Sequence, residues 1–159
     1  MAKLSHLDSA GRARMVDVTE KDMTRRIAIA RGTIFMHPDT LALIMAKRVE
    51  KGDVFSVARV AGIMAAKRTP ELIPMCHPLN LTSVEILLTP QQNPARVEIE
   101  AVVKVTGKTG VEMEAMTAVS VCGLTIYDMC KAVDREMLIG EVRLVKKSGG
   151  KSGTFIRNE

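Results

Sequence analysis

The spacing of apolar residues along the chain predicts alternating strands and helices. Between Arg26 and Met36, apolar and polar side chains alternate loosely, which is typical of a strand. The segment from Leu41 to Val49 has helical spacing and precedes Gly52, a residue that favours the end of a helix. Asp53 is a favourable N-cap, so a second helix is predicted to run to about Lys67. The apolar face of this helix comprises Val57, Val60, Ala61 and Met64.

The second half of the chain predicts a hairpin, a long helix and a last strand. Three prolines between residues 69 and 78 indicate irregular chain. The β-rich runs 83–89 and 97–105 are joined by a short segment that begins and ends with proline, as in a hairpin. A long helix follows Gly110 and is apolar on nearly every side, which predicts burial on nearly every side. The run 142–145 predicts the last strand.

This order of elements indicates an α+β fold, a ferredoxin-like βαββαβ sandwich with an antiparallel sheet and its helices on one face. We expect residues 1–24 to form an N-terminal arm, and residues 25–159 a single catalytic domain that ends in a Gly/Lys loop. The second face must be covered or solvated. The apolar residues Val97, Ile99, Ala101 and Val103 against Ile86 and Leu88 indicate that part of it is covered. The simplest cover is another subunit.

The composition excludes some classes of protein. The apolar run 111–127 contains Glu112 and Glu114, so no membrane-spanning segment is predicted. No signal peptide is predicted, since the N-terminus shows no apolar stretch. The three cysteines are odd in number and lie in apolar surroundings, which suits a reducing cytoplasm better than a disulfide framework. We therefore expect a cytoplasmic protein.

The net charge of +5 is unevenly distributed. Basic residues cluster at three ends of predicted elements, and such clusters favour an anionic partner such as phosphate, nucleotide or nucleic acid. A solvated face is the alternative for any single cluster. The clusters are Lys47, Arg48 and Lys51; Lys67 and Arg68; and Lys146, Lys147 and Lys151.

Asp128 and Lys131 are the strongest candidates for chemistry. They lie three residues apart in an apolar helix, and therefore on one face of it. A charged group in apolar surroundings is destabilising unless it is paired with an opposite charge, so its presence there indicates an ion pair or a functional role. An ordinary ion pair at the end of the helix is the alternative interpretation.

The turn before the long helix has two interpretations. Thr109 and Glu112 have the spacing of a capping box, which would account for Glu112. The same turn, Gly107–Gly110, precedes a helix N-terminus whose free N–H groups can hold an anion. Glu114 is not explained by capping and is either solvent-facing or a polar contact in a site.

Two further segments leave alternatives open. Cys76 and His77 are adjacent, which does not match the ligand spacing of closed zinc sites, so no metal site is predicted. His77 is then either a proton-transfer group or a hydrogen-bonded structural histidine. The loop 147–153 is either a mobile lid over phosphates or a disordered tail.

Six motifs, in this order along the chain, resemble those of the cyclic pyranopterin monophosphate synthase family of molybdenum cofactor biosynthesis. The resemblance extends from about His6 to Gly153. The motifs are Met15-Val-Asp-Val-Thr19, Lys51-Gly-Asp-Val-Phe55, Ile73-Pro-Met-Cys-His-Pro-Leu79, Thr106-Gly-Lys-Thr-Gly-Val-Glu-Met-Glu-Ala115, Leu124-Thr-Ile-Tyr-Asp-Met-Cys-Lys-Ala132 and Lys147-Ser-Gly-Gly-Lys-Ser-Gly153.

The resemblance implies a lyase with a ferredoxin-like fold, assembled as a homohexamer of dimers with sites at subunit interfaces. Its substrate would be a radical-cyclised dihydroguanosine triphosphate, which is rearranged into a pyranopterin with a cyclic phosphate while pyrophosphate is released. This chemistry requires proton transfers and fixed cations but no redox cofactor, and we expect no metal requirement for the chemistry itself.

The resemblance also assigns roles to residues. Asp128, Lys131 and Lys51 would form the acid/base group, in which neighbouring cations or an apolar wall lower a lysine pKa far enough for proton exchange. Arg26, Lys67 and Lys147 would hold the triphosphate. The remaining substrate contacts would be Met75, Cys76, His77, Glu112, Met113 and Glu114.

Two other functions share this fold. An RNA-binding module of the same topology stacks bases on sheet aromatics, but the middle strands contain none, so no nucleic-acid partner is expected. A non-catalytic nucleotide sensor is the second alternative. Loss of turnover in an Asp128→Asn variant would separate an enzyme from such a sensor.

Overall fold

The structure is a computed structural model that describes residues 6–159, and it confirms the α+β ferredoxin-like fold. The strands and helices follow the predicted order, with one additional short helix and one additional short strand. They are β1 (Thr24–Phe35), α1 (Pro38–Met45), α2 (Val54–Lys67), α3 (Thr69–Leu72), β2 (Ser83–Gln92), β3 (Ala95–Gly107), α4 (Glu112–Cys130), β4 (Leu138–Ser148) and β5 (Phe155–Ile156).

The five strands form one antiparallel sheet in the order β2-β3-β1-β4-β5. Thr24 pairs with Gly107 at one end of the central pair β1/β3, and Phe35 pairs with Arg96 at the other. Alternate residues of β3 from Ala95 to Val105 are at most 7% exposed, and α4 packs on them. Because of this strict alternation, the buried residues of β3 all lie on one face of the sheet, and that face forms one side of the hydrophobic core.

The first helix begins and ends earlier than predicted. It begins at Pro38, whose fixed φ suits the first helical position, and ends at Met45. Lys47 adopts φ 53°, a left-handed conformation that a helix cannot contain, so Val49 lies outside it. The irregular segment 69–78 does contain one short helix, α3.

The N-terminus of α2 is as predicted, but its apolar face does not cover the sheet. The Asp53 carboxylate accepts a hydrogen bond from the Ser56 amide at 3.0 Å. The larger aliphatic residues of that face are 41–61% exposed, because α2 packs on α4 through small residues instead. At Gly62 an added Cβ would lie 2.4 Å from Cys122 Sγ, which shows how closely the two helices approach. The exposed residues are Val57, Val60 and Met64.

Within this chain, α4 is buried over much of its surface but leaves some residues exposed, so burial on nearly all sides would require a second subunit. Ala115, Ala118, Cys122 and Ile126 are fully buried, whereas Leu124 is 59% exposed. A Cβ added at Gly123 would approach Ile139 Cγ2 at 3.1 Å, so close packing against β4 accounts for a glycine in the middle of this helix. α4 packs against α2, and each of the two helices also has residues that remain exposed.

Residues 6–23 precede the sheet and form turns with a single β-bridge between Leu7 and Ala13. The first five residues of the predicted 1–24 arm lie outside the described part of the chain. Within residues 6–159, no helix combines the length and apolar character needed to cross a membrane.

Candidate active site

A cavity of about 450 Å³ lies at the N-terminal end of α4. Its walls come from the arm, β1, the segment after α3, the turn before α4 and the end of β4. Eight of the nine residues predicted to contact substrate line this main cavity. They are Arg26, Met75, Cys76, His77, Glu112, Met113, Glu114 and Lys147.

Glu114 is the chemically unusual residue of the main cavity, since it is only 3% exposed. Burial, and to a lesser extent the neighbouring Glu112 carboxylate, raises its pKa from an ordinary value near 4.5 to about 7. Within residues 6–159 it forms no ion pair. A carboxyl group with a pKa near neutrality can both donate and accept a proton.

Glu112 does not cap α4, so the predicted capping box is wrong. The N-cap is Val111, and no side chain donates or accepts a capping hydrogen bond there. The Glu112 carboxylate instead lies 3.0 Å from Lys147 Nζ on β4. Lys147 also donates to Ser152 Oγ at 3.0 Å, which ties the C-terminal loop to the cavity.

His77 holds the arm against the main cavity. Its Nε2 donates to the Val16 carbonyl at 2.7 Å, which leaves Nδ1 as the acceptor in the neutral ring. Lys108 Nζ makes a similar contact to the Thr19 carbonyl at 2.6 Å. The histidine therefore has a structural partner, and its second nitrogen remains available to a ligand.

Arg26 is fixed by main-chain carbonyls. Its Nε donates to the Gly107 carbonyl at 3.0 Å and its Nη2 to the Lys108 carbonyl at 3.1 Å. Gly150 lies directly against the guanidinium, where an added Cβ would come within 2.1 Å of Nη1. The donors that remain on the guanidinium are held in a fixed orientation, which suits an anion in the cavity.

The predicted acid/base group forms at the opposite end of α4. Lys131 Nζ lies 2.6 Å from Asp128 Oδ1, and Lys51 Nζ lies 3.1 Å from Asp128 Oδ2. Lys51 also donates to the Asp128 carbonyl at 2.9 Å. Hydrogen bonds from Lys131 and then Lys51 lower the pKa of Asp128. We call Asp128, Lys51 and Lys131 the trio.

The trio does not reach the main cavity of its own chain. Asp128 lies sixteen positions after Glu112 in α4, or roughly 24 Å along the helix at 1.5 Å per residue. All three side chains of the trio are also 47–58% exposed, unlike the groups of a closed site. Lys67, the ninth predicted substrate contact, is exposed at the end of α2 and does not line the main cavity.

The model of the MoaC family matches residues 15–150 of this sequence. The chain belongs to the MoaC family. It is 65% identical to the cyclic pyranopterin monophosphate synthase of Pelotomaculum thermopropionicum, an alignment that covers 99% of this chain and 92% of that protein. It is 61% identical to that of Magnetococcus marinus, covering 99% and 97%. It is 59% identical to that of Heliobacterium modesticaldum over the full length of both.

The sequence did not predict two cations that line the main cavity, Lys21 and Lys108. The only signal was the position of Lys21 just after the Met15–Thr19 motif and of Lys108 inside the fourth motif. His6 also lines the cavity. Among residues 6–159, no group of three or more His, Cys, Asp and Glu side chains could hold a metal ion.

Proposed function

We propose that this protein is a cyclic pyranopterin monophosphate synthase of molybdenum cofactor biosynthesis. It would convert the radical-cyclised dihydroguanosine triphosphate into cyclic pyranopterin monophosphate and release pyrophosphate. The observation that carries the proposal is the main cavity itself. Cationic side chains from the arm, β1, the turn before α4 and β4 line this cavity together with a carboxyl group whose pKa is raised to about 7, which supports the proposal.

The cations of the main cavity suit the triphosphate. Arg26 and Lys147 would bind phosphate oxygens, together with Lys21. An incoming phosphate would compete with Glu112 for Lys147, because the two side chains are paired at 3.0 Å in the free protein. Cyclisation forms a bond from a sugar hydroxyl oxygen to the α-phosphorus and breaks the bond from that phosphorus to the β-phosphate oxygen. The hydroxyl proton passes to a base, and the electron pair leaves with pyrophosphate.

We infer that the trio acts on the main cavity of a second subunit. Leu124, Asp128 and Lys131 follow one exposed stripe of α4, at intervals of four and three residues. Lys67 likewise continues the exposed stripe of α2 that contains Val60 and Met64. Two stripes with such apolar residues fit a subunit interface better than water.

A twofold axis across the α2/α4 pair would bring the two ends of α4 together between subunits. It would place the C-terminal end of α4 in one subunit against the N-terminal end in its partner. The trio of each subunit would then face the main cavity of the other, with Lys67 at the same border. This dimer would be the unit of the proposed homohexamer of dimers.

The compartment and partners follow from the same function. All three cysteines are free thiols, as a reducing cytoplasm requires. The proposed reaction needs no nucleic-acid, membrane, metal or redox partner. We expect no retention of single-stranded RNA at moderate salt, and tight salt-sensitive binding would contradict this assignment.

Turnover of freshly prepared cyclised dihydro-GTP is the decisive test. Pyrophosphate release and pterin fluorescence after oxidation are followed for the wild type and for Asp128→Asn and Lys51→Ala variants. We expect turnover by the wild type and severe loss in both variants. A folded, oligomeric wild type without turnover would contradict the proposed activity and favour a nucleotide sensor.

A further inference from the structure

A second cavity, of about 520 Å³, adjoins the main cavity behind the loop that follows β4. We call it the outer cavity. Its side chains include three cations and one exposed carboxylate, so an anion would be its natural ligand. The outer cavity is lined by Lys21, Asp22, Thr24, Arg26, Gly150, Lys151 and Ser152.

The two cavities share walls. Lys21 and Arg26 line both, as does Ser152. The partition between them is the turn of the loop, since Gly149 lines the main cavity and Gly150 the outer one. An anion that moved from one cavity to the other would therefore remain in contact with the same two cations.

The partition is built from glycine for a steric reason. A Cβ at Gly149 would lie 2.3 Å from the Arg25 carbonyl oxygen, and both glycines have positive φ, 99° and 75°. Main chain can therefore lie directly on the Arg26 guanidinium. Two adjacent residues of the chain, Gly149 and Gly150, therefore line different cavities.

Thr24, a residue in the wall of the outer cavity, has a buried hydroxyl group without a hydrogen-bond partner. Thr24 Oγ1 is the one buried side-chain oxygen or nitrogen of residues 6–159 that forms no hydrogen bond. A buried hydroxyl without a partner is destabilising, and its cost is removed when a ligand accepts its proton. Phosphate oxygens are strong acceptors, and Thr24 would add a donor to the three cations.

We propose that the outer cavity is a pyrophosphate site that receives the leaving group from the main cavity. This identity of the ligand rests on the proposed function, because that reaction releases pyrophosphate beside Arg26 and Lys21. Once the bond between the α-phosphorus and the β-phosphate oxygen breaks, pyrophosphate carries the electron pair and an additional negative charge. Lys151, which lines only the outer cavity, attracts it away from Glu112 and Glu114.

Calorimetric titration of the full chain with two probes tests the proposal. GTP is added to saturation, where we expect its triphosphate to bind in the main cavity, and pyrophosphate is then titrated into the GTP-saturated protein. We expect pyrophosphate to bind in the presence of GTP. Exclusion of pyrophosphate by GTP would overturn the second site.

Variants assign the site. Lys151→Gln is expected to raise the Kd for pyrophosphate about fivefold, because one partly exposed charged contact is lost. The Kd for GTP should change less than twofold. Thr24→Val keeps the shape of the side chain without its hydroxyl and should also weaken pyrophosphate binding. Lys147→Gln should weaken GTP binding more than pyrophosphate binding.

Lys146→Gln is the matched control, since Lys146 is exposed on β4 and lines neither cavity. If Lys151→Gln affects pyrophosphate no more than this control does, the outer cavity is not the site. Pyrophosphate binding through Lys151 without enzymatic turnover would leave the site intact and contradict the proposed function. Turnover with unaltered product inhibition in Lys151→Gln would contradict the site and leave the function intact.

Discussion

The two ends of α4 place the same functional group, a carboxyl, in opposite environments. Glu114 is 3% exposed and burial raises its pKa to about 7, whereas the side chain of Asp128 is 58% exposed. Hydrogen bonds from Lys131 and Lys51 lower the pKa of Asp128. At neutral pH one carboxyl group exchanges protons and the other remains ionised. Burial and pairing, not residue type, therefore separate the chemistry of the two ends.

The largest expected effect is on catalysis at the exposed end. Asp128→Asn should reduce kcat by about 10²–10⁴-fold, the usual contribution of a general acid or base. Its unfolding free energy should change by less than about 0.5 kcal/mol, because the residue is on the surface. Turnover and urea unfolding measure the two effects. Glu71→Gln is the control, because Glu71 is an exposed carboxylate that belongs neither to the trio nor to the main cavity. Retained turnover in Asp128→Asn would show that the trio takes no part in the mechanism.

Mixing subunits tests whether the two ends meet between chains. Asp128→Asn and Glu114→Gln variants, each inactive alone, should recover about a quarter of wild-type activity after dissociation and random reassociation of dimers. Half of the dimers are then mixed, and each mixed dimer has one intact site. A mixture of Asp128→Asn with Lys131→Ala is the control and should remain inactive, since both changes affect the trio. Absence of recovery in the first mixture would place each site within one chain.

The buried end should make stability depend on pH. A carboxyl whose pKa is raised in the folded state contributes most below its ordinary value of about 4.5. That contribution is lost as the pH rises through about 7. In Glu114→Gln the dependence should disappear, leaving the variant up to roughly 2–3 kcal/mol more stable than the wild type at pH 8.5. Urea unfolding between pH 5 and pH 8.5 measures this, with Glu71→Gln as control. Parallel curves for wild type and Glu114→Gln would contradict the buried acid.

The smallest expected effect concerns the start of α4. Thr109→Ala should change the unfolding free energy by less than about 0.5 kcal/mol, because Thr109 makes no capping hydrogen bond. Asp53→Ala removes a real cap and should cost about 1 kcal/mol. If both variants lost the same unfolding free energy, Thr109 would act as a helix cap after all, in contradiction to the structure.

Local sequence patterns predicted the elements well but not the partners of their side chains. Asp53 caps α2 as its position indicates, since capping involves only the next few residues. The Thr109–Glu112 pattern failed because Glu112 pairs with Lys147, a residue 35 positions away that no local pattern reveals. The face of α2 was assigned wrongly for a related reason. Small residues, including Ala58 and Gly62, bring α2 close to α4 and leave the larger aliphatic residues outside.

The candidate site was predictable as a set of residues but not as an arrangement. The motifs contain both Glu114 and Asp128, yet nothing in their spacing shows that one is enclosed and the other exposed. Lys21 was missed because it reaches the main cavity only through the docking of the arm, which depends on the contact between His77 and the Val16 carbonyl. Tertiary contacts of this kind are absent from a linear pattern.

The thiols differ in a way that provides a natural reporter. Cys122 and Cys130 are fully buried, whereas Cys76 is partly exposed in the wall of the main cavity. Burial and then the neighbouring Glu114 raise the pKa of Cys76, so labelling should be slow at neutral pH. A thiol reagent should therefore modify one residue of the native protein. Its rate would report whether the main cavity is occupied, without an engineered probe.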